Sequence, residues 1–311
     1  MAEPLRERRI TVTGAGGFLG TAAVDALAGD GACVQAILGP ADHEANAPGR
    51  AAYLAKADIR DLGALRRLVA GSDAVVHLAG PASVAASFTD PAEYVRIHTE
   101  GTAVLLEACR SERIPRLIHV SSAEVYGRPL WSPVGEDHPL SARSPYGAAK
   151  IGAEKLIEAY VHSFALQAVI LRPFSVYGPG ASPESLIPRI IGMARSGLPV
   201  VLRDLRPIRD YCFVTDVARA IAGACSVQGG PLEVLNIGTM CGTSVARVAA
   251  LILAALGTAT SVAESSDRDR PGTSEIYELI ADNRRARQIL GWTPAVSLEE
   301  GLRTTVARMF R

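Results

Sequence analysis

The sequence predicts an α/β protein, a doubly wound parallel sheet with a smaller C-terminal lobe. Three observations predict it. Short β-branched or apolar runs alternate with segments of helical spacing through the first half of the 311-residue chain, the pattern of a parallel sheet covered by helices on both faces. Those runs are apolar nearly throughout, as strands buried on both faces are. The first of them passes directly into a glycine-rich turn and then a helix.

The first strand, Arg9–Thr13, runs into Thr13-Gly14-Ala15-Gly16-Gly17-Phe18-Leu19-Gly20, and helical spacing follows over Thr21–Ala28. In this G-x-x-G-x-x-G pattern Gly14 permits the tight turn, Gly17 lets backbone approach a pyrophosphate, and Gly20 allows close helix packing. Phe18 and Leu19 belong to the same loop, and the helix start offers free N–H groups to phosphate. The pattern lies between the first strand and first helix of a βαβ series, the context that a Rossmann dinucleotide site requires.

The second strand, Cys33–Leu38, ends in Leu38-Gly39-Pro40. An acidic residue normally ends that strand and binds the adenosine ribose of NAD, whereas a basic neighbour favours the phosphate of NADP. Leu38 offers neither, so NAD loses its usual anchor and NADP stays open. Asp58-Ile59 closes the third strand, where it either contacts adenine or caps the following helix. The fourth strand, Ala74–Leu78, finishes His77-Leu78-Ala79-Gly80 at the carboxyl edge of the sheet, and its small residues leave room for a cofactor ring. His77, inside an apolar strand, reads as a core histidine.

The fifth strand, Leu117–Ser121, leads to Ser122, and Ser144-Pro145-Tyr146-Gly147-Ala148-Ala149-Lys150 opens a helix. Tyr146 and Lys150, four residues apart, share one helix face. A tyrosine of pKa about 10 is a poor base at neutral pH, but a neighbouring ammonium and an oxidised nicotinamide both favour phenolate. Lys150 supplies the first of those charges. Ser122 can bond the substrate oxygen and share its proton with Tyr146, which makes the three a proton relay beside a hydride acceptor.

After a strand at Val169–Leu171 the rhythm breaks. Val176–Pro183 and Gly197–Asp204 are punctuated by Pro and Gly, alternation partly recovers around Tyr211–Ala224, and Val234–Ile237 is a further strand. The expected division is 1–173 for the dinucleotide-binding domain, with 211–240 returning to it, and 174–210 with 241–311 for the smaller lobe. Val245–Leu256, the most hydrophobic helix, is far shorter than the roughly 20 residues that cross a bilayer.

Lys+Arg and Asp+Glu both total 32, so no net field attracts nucleic acid or an anionic membrane. The five cysteines, Cys33, Cys109, Cys212, Cys225 and Cys241, form no C-x-x-C pair and read as small core residues of a cytoplasmic protein without a metal site. The charged N-terminus carries no apolar stretch of the signal-peptide kind.

With these motifs in this order, the chain resembles the extended short-chain dehydrogenase/reductase family, in particular its NAD-dependent nucleotide-sugar epimerases, dehydratases and reductases. The resemblance covers nearly the whole chain, through Thr13–Gly20, Asp58-Ile59, His77–Gly80, His98-Thr99-Glu100-Gly101-Thr102, Ser121–Gly127, Ser144–Lys150, Leu171–Pro179, Arg209-Asp210-Tyr211 and Leu290-Gly291-Trp292. It implies Ser122, Tyr146 and Lys150 as a catalytic triad and Pro173 beside the nicotinamide amide. It also implies a homodimer built by the helices around Glu93–Arg110 and Tyr146–Ser163.

The implied substrate is a nucleotide sugar, a UDP-, dTDP- or GDP-linked hexose. Arg209 and Arg270 would clamp its diphosphate, with Arg189 a third candidate, because guanidinium suits bidentate phosphate contacts. Ser175 stands where the family often has an asparagine that touches the diphosphate. His98 replaces the asparagine of N-x-x-G-T and would fill the same hydrogen-bonding niche without chemistry of its own.

Four readings of function follow. As an epimerase, the chain would use Tyr146 to remove a proton from the sugar 4-hydroxyl while hydride passes to NAD and returns to the opposite face. As a reductase it would protonate a 4-keto sugar while NADPH delivers hydride. Sugar dehydratases of the family carry an acidic pair just after the catalytic Ser/Thr. Here the pair is Ala123-Glu124, so only Glu124 remains for dehydration or carbon-5 chemistry. A non-catalytic nucleotide sensor would typically lack the tyrosine or lysine, and both are present.

Overall fold

The computed structural model describes residues 5–43, 46–265 and 275–309. The dinucleotide half begins with β1 (Arg9–Thr13), α1 (Phe18–Gly29), β2 (Cys33–Leu38), β3 (Tyr53–Lys56), α2 (Leu62–Val69) and β4 (Ala74–His77). It continues with α3 (Pro91–Val95), a π-helical segment Arg96–Glu100, α4 (Gly101–Ser111), β5 (Arg116–Val120), α5 (Pro145–Phe164) and β6 (Gln167–Pro173). Then come β7 (Ser175–Tyr177), α6 (Leu186–Arg195), β8 (Val200–Leu202), β9 (Ile208–Phe213), α7 (Val214–Ser226) and β10 (Leu232–Ile237). The chain closes with β11 (Gly242–Ser244), α8 (Val245–Leu256), β12 (Val262–Glu264), β13 (Glu278–Leu279), α9 (Arg284–Leu290) and α10 (Leu298–Arg308).

Seven strands form one sheet in the order β10-β6-β5-β4-β1-β2-β3, every pairing parallel. This is the doubly wound Rossmann order, and its direction reverses between β1 and β4, where such folds bind dinucleotides at the carboxyl ends of the strands. The central strands are apolar on both faces because helices cover both: α1 and α7 pack beside Ile10, Val12 and Leu235, while α4 and α5 enclose Val75, Leu117 and Ile170. The smaller sheet, β11-β9-β13 with β7 also paired to β9, packs with α6, α8 and α10 around Ile190, Phe213 and Ile252.

Several expected boundaries shift. Helix α1 starts at Phe18 rather than Thr21, with Gly17 as its extended N-cap, so Phe18, Leu19 and Gly20 form its first turn, directly behind the glycines. The short β3 lies at the sheet edge with Tyr53 and Leu54 exposed. Within 211–240, β10 pairs with β6 in the large sheet, while Tyr211–Phe213 belong to β9 of the small one. The cysteine expectation needs correction: Cys109, Cys212 and Cys225 are buried, but Cys33 is only partly buried and Cys241 is exposed. Cys241 follows β10 in a loop, outside the buried cores. Among the described residues no helix is long and apolar enough to cross a membrane, and no cluster of His, Cys, Asp or Glu is arranged to hold a metal ion.

Candidate active site

The glycine loop is shaped by contacts that exclude side chains. Gly14 has φ +68°, and a Cβ there would stand 2.7 Å from Ala79 N; at Gly20 it would stand 2.1 Å from Gly14 O. The close approach of β1, β4 and α1 at the switch point therefore depends on these two residues. Gly14 and Ala79 are half-buried in that packing, whereas Gly17, Phe18, Leu19 and Gly20 line a cavity of about 490 Å³ together with Leu78 and Gly80. A glycine cradle, a helix N-terminus facing the cavity and an adjoining ring-sized space suit a dinucleotide pyrophosphate and nicotinamide.

The adenosine end carries no strand-end acid, as the sequence indicates. Leu38 is a core residue, 1% exposed, and contributes no polar contact. Asp58 is turned to Arg60, accepting from its Nε at 2.9 Å and its NH2 nitrogen at 2.7 Å. Arg60 lowers the Asp58 pKa. The helix cap is Asp61 instead, whose carboxylate accepts from Ala64 N at 2.9 Å, so Asp58 does not cap that helix. Ile59 is buried in the core beside α4.

The catalytic candidates converge at the far end of the same cavity, lined by Ser122, Glu124, Tyr146, Lys150, Pro173 and His98. Helix α5 presents Tyr146 and Lys150 because Ser144 caps it, its Oγ accepting from Gly147 N at 3.1 Å, and Pro145 supplies the fixed φ of the first turn. Ser122, at the N-cap of the 3₁₀ turn Ala123–Tyr126, accepts from Glu124 N at 3.2 Å, and its hydroxyl lies close enough to the Tyr146 phenol to favour the phenolate.

Lys150 is buried and donates to Val120 O at 2.9 Å, with Nζ 5.9 Å from the Tyr146 ring centre. Burial lowers its pKa to about 8, and the Glu154 carboxylate partly opposes that fall. Burial likewise pushes the Tyr146 phenol above its ordinary value, and the nearby Ser122 hydroxyl opposes that rise. A tyrosine so placed gives up its proton readily only when positive charge stands beside it.

Three histidines surround this pair. His77 bridges Thr13 Oγ1 at 2.9 Å and Thr102 Oγ1 at 3.0 Å, the satisfied core role expected of it. His98 bonds Pro81 O through Nε2 at 2.9 Å and meets Tyr146 edge-on, ring centres 5.3 Å apart. It also explains Gly80, where a Cβ would lie 2.3 Å from His98 Cε1. His119 packs against His77 at 5.2 Å.

Behind the site runs a buried network that the sequence reading missed. Glu154 accepts from Arg172 at 3.0 and 2.6 Å and from Ser121 Oγ at 2.5 Å. Arg172 donates to Tyr126 Oη at 2.8 Å, and that hydroxyl donates to Asn236 Oδ1 at 2.7 Å. One signal was legible: Glu154 follows Lys150 by four residues and must share its helix face. Its partner on β6 was not, since only sheet pairing brings Arg172 there.

A second cavity, about 440 Å³, opens from the first toward the smaller lobe, and Ser175, Arg189, Arg209, Tyr211 and Glu124 line it. Arg209 NH2 lies 3.6 Å from Glu275 Oε1, and NH1 donates to Ile208 O at 3.1 Å. Asp210 turns away into the core and accepts from Thr239 and Met240 N. Arg270 lies outside the described residues.

Residues 10–238 match the model of the NAD dependent epimerase/dehydratase family. The chain belongs to that family. It is 35% identical to a dTDP-glucose 4,6-dehydratase of Streptomyces griseus over 96% of this chain and 93% of that protein. Identity to a UDP-glucose 4-epimerase of Mycolicibacterium smegmatis is 33%, over 96% and 97%. Among solved structures, the UDP-glucose 4-epimerase of Thermotoga maritima with UDP-glucose superposes with a TM-score of 0.90 at 31% identity, covering 97% of this chain and 98% of that one. The protein is thus an NAD-dependent enzyme of the nucleotide-sugar epimerase and dehydratase kind, and NAD is the cofactor that the glycine cradle fits.

Proposed function

We propose that this member of the family is a nucleotide-sugar 4-epimerase. The observation that carries the reading is Ala123, buried beside Ser122 where a dehydratase would need an acid. A methyl group cannot protonate a departing hydroxyl, so the ketone formed in the site has no assisted route to water loss.

In this reading Ser122 bonds the sugar 4-oxygen and Tyr146 takes its proton. Bound NAD supplies reversible hydride acceptance at carbon 4. Lys150 holds positive charge near the phenolate, and Pro173, Leu78, Ala79 and Gly80 border the nicotinamide space. After the ketone turns over, Tyr146 returns the proton to the oxygen on the new face. Arg209, Arg189, Ser175 and, beyond the described residues, Arg270 would hold the diphosphate. Residues 1–173 with 214–240 serve the dinucleotide, and 174–213 with 241–311 serve the nucleotide sugar. The assembly we propose is a cytoplasmic homodimer through the face formed by α3, α4 and α5.

Glu124 favours one second reading. It lines both cavities and would stand near carbon 5 of a sugar whose carbon 4 faced Tyr146, as dehydration, decarboxylation or carbon-5 epimerisation would require. A panel of UDP-, dTDP- and GDP-hexoses, incubated without added cofactor and followed by NMR, separates the two. A carbon-4 epimer is expected. A 4-keto-6-deoxy product or deuterium entering carbon 5 would replace this reading with the second, and turnover only of a 4-keto sugar with NADPH would make the enzyme a reductase.

A further inference from the structure

Leu38 leaves the end of β2 without the acid that normally receives the adenosine ribose, yet a carboxylate does stand there. The turn after β2 folds back on itself: Asp42 N donates to Gly39 O at 3.1 Å, and Gly39 N donates to Asp42 Oδ2 at 2.7 Å. The Asp42 side chain is thereby carried back to the strand end, although three residues separate it from Leu38. A Cβ at Gly16 would lie 3.4 Å from Asp42 Oδ2 and 2.9 Å from Leu38 Cδ2, so the carboxylate rests against the glycine loop itself. Ala15 N donates to Ile37 O at 3.2 Å, which joins loop and strand end. The turn is further tied from β3, where Lys56 Nζ donates to Asp42 O at 2.9 Å.

We propose that Asp42 is the anchor of the adenosine ribose, taking over from the missing strand-end acid, and that it selects NAD over NADP. The proposal rests on dinucleotide binding at the glycine loop and is independent of which sugar reaction follows. Gly39 N–H occupies one acceptor position of the carboxylate, and an ionised carboxylate offers about four. The rest suit ribose hydroxyls, which donate. A 2′-phosphate on the same ribose would instead set like charges together, a repulsion strongest where burial limits screening. Lys56, whose charge would welcome that phosphate, already donates to the Asp42 carbonyl.

The test is calorimetric binding to the full-length protein freed of co-purified nucleotide, with NAD⁺, NADP⁺ and the 2′-deoxyadenosine analogue of NAD⁺. The unmodified protein is expected to bind NAD⁺ more tightly than either of the others. Asp42→Asn keeps an oxygen for Gly39 N–H, so the turn persists while the charge is lost, and Asp42→Ala removes both. A charge-assisted bond is at stake, so Asp42→Asn is expected to weaken NAD⁺ roughly tenfold and to narrow its margin over both other ligands. Unchanged NAD⁺ affinity in both variants, or equal losses for all three ligands, would overturn the proposal. So would an unmodified protein that binds the deoxy analogue as well as NAD⁺, a comparison that needs no variant to fold. Failure to bind any of the three would overturn the cofactor assignment with it.

Discussion

At the scale of single residues the site sets two burdens against each other. Tyr146 must release a proton from a position where burial disfavours its charged form, and Lys150 must stay charged where burial lowers its pKa to about 8. The nearby Ser122 hydroxyl eases the first, and Glu154 eases the second. The hydroxyl of Tyr146 carries the whole proton transfer, whereas its ring only packs against His98 and Tyr94. Tyr146→Phe is therefore expected to lower turnover of the nucleotide sugar by at least roughly a hundredfold, with NAD affinity in calorimetry changed little. Retained turnover would remove Tyr146 from the chemistry. The spacing of Tyr146 and Lys150 could be read from the sequence because a helix places i and i+4 on one face. Their burial could not, since it comes from α3, the π-helical segment and the 3₁₀ turn Ala123–Tyr126 packed around them.

At the scale of elements, α5 and β6 are joined by the Glu154–Arg172 pair, whose side chains are 4% and 6% exposed. Removing one member leaves a buried charge unmatched, so Glu154→Ala is expected to cost about 3–5 kcal/mol of unfolding free energy. Denaturant unfolding would measure it, and a loss below about 1 kcal/mol, the range of an exposed pair, would show that water reaches Arg172. The strands themselves were legible to within a residue or two where β-branched runs were long, as at Arg9–Thr13 and Cys33–Leu38. The edge strand Tyr53–Lys56 carries no apolar run of that kind, and its position follows only from pairing with β2.

At the scale of the whole molecule, three buried histidines couple stability to pH. Burial lowers the pKa of His77 to about 3 and of His98 to about 2, and drives His119 in the same direction, with the charge of Lys150 adding to each. Unfolded histidine titrates near 6.5, so between these limits the unfolded chain holds protons that the folded one does not. Stability from these groups is present above about pH 6.5 and is lost as pH falls toward their folded values. Denaturant unfolding of the ligand-free enzyme is expected to give a lower free energy at pH 5.5 than at 7.5, by roughly 1 kcal/mol for each histidine. An unfolding free energy that holds level between those pH values would mean that the imidazoles are already charged, or hydrated, in the folded state.

The sequence by itself determined the parallel sheet, the glycine loop at its first crossover, the Tyr146/Lys150 face and the family, because each depends on spacing along a strand, turn or helix. Only the tertiary structure decided that Leu38 is core, that Asp58 belongs to Arg60, that Asp42 returns to the strand end, and that Glu154 finds Arg172. Those partnerships join residues on separate turns and strands. Local spacing restricts which way a side chain points, but the packing of other elements determines what it meets.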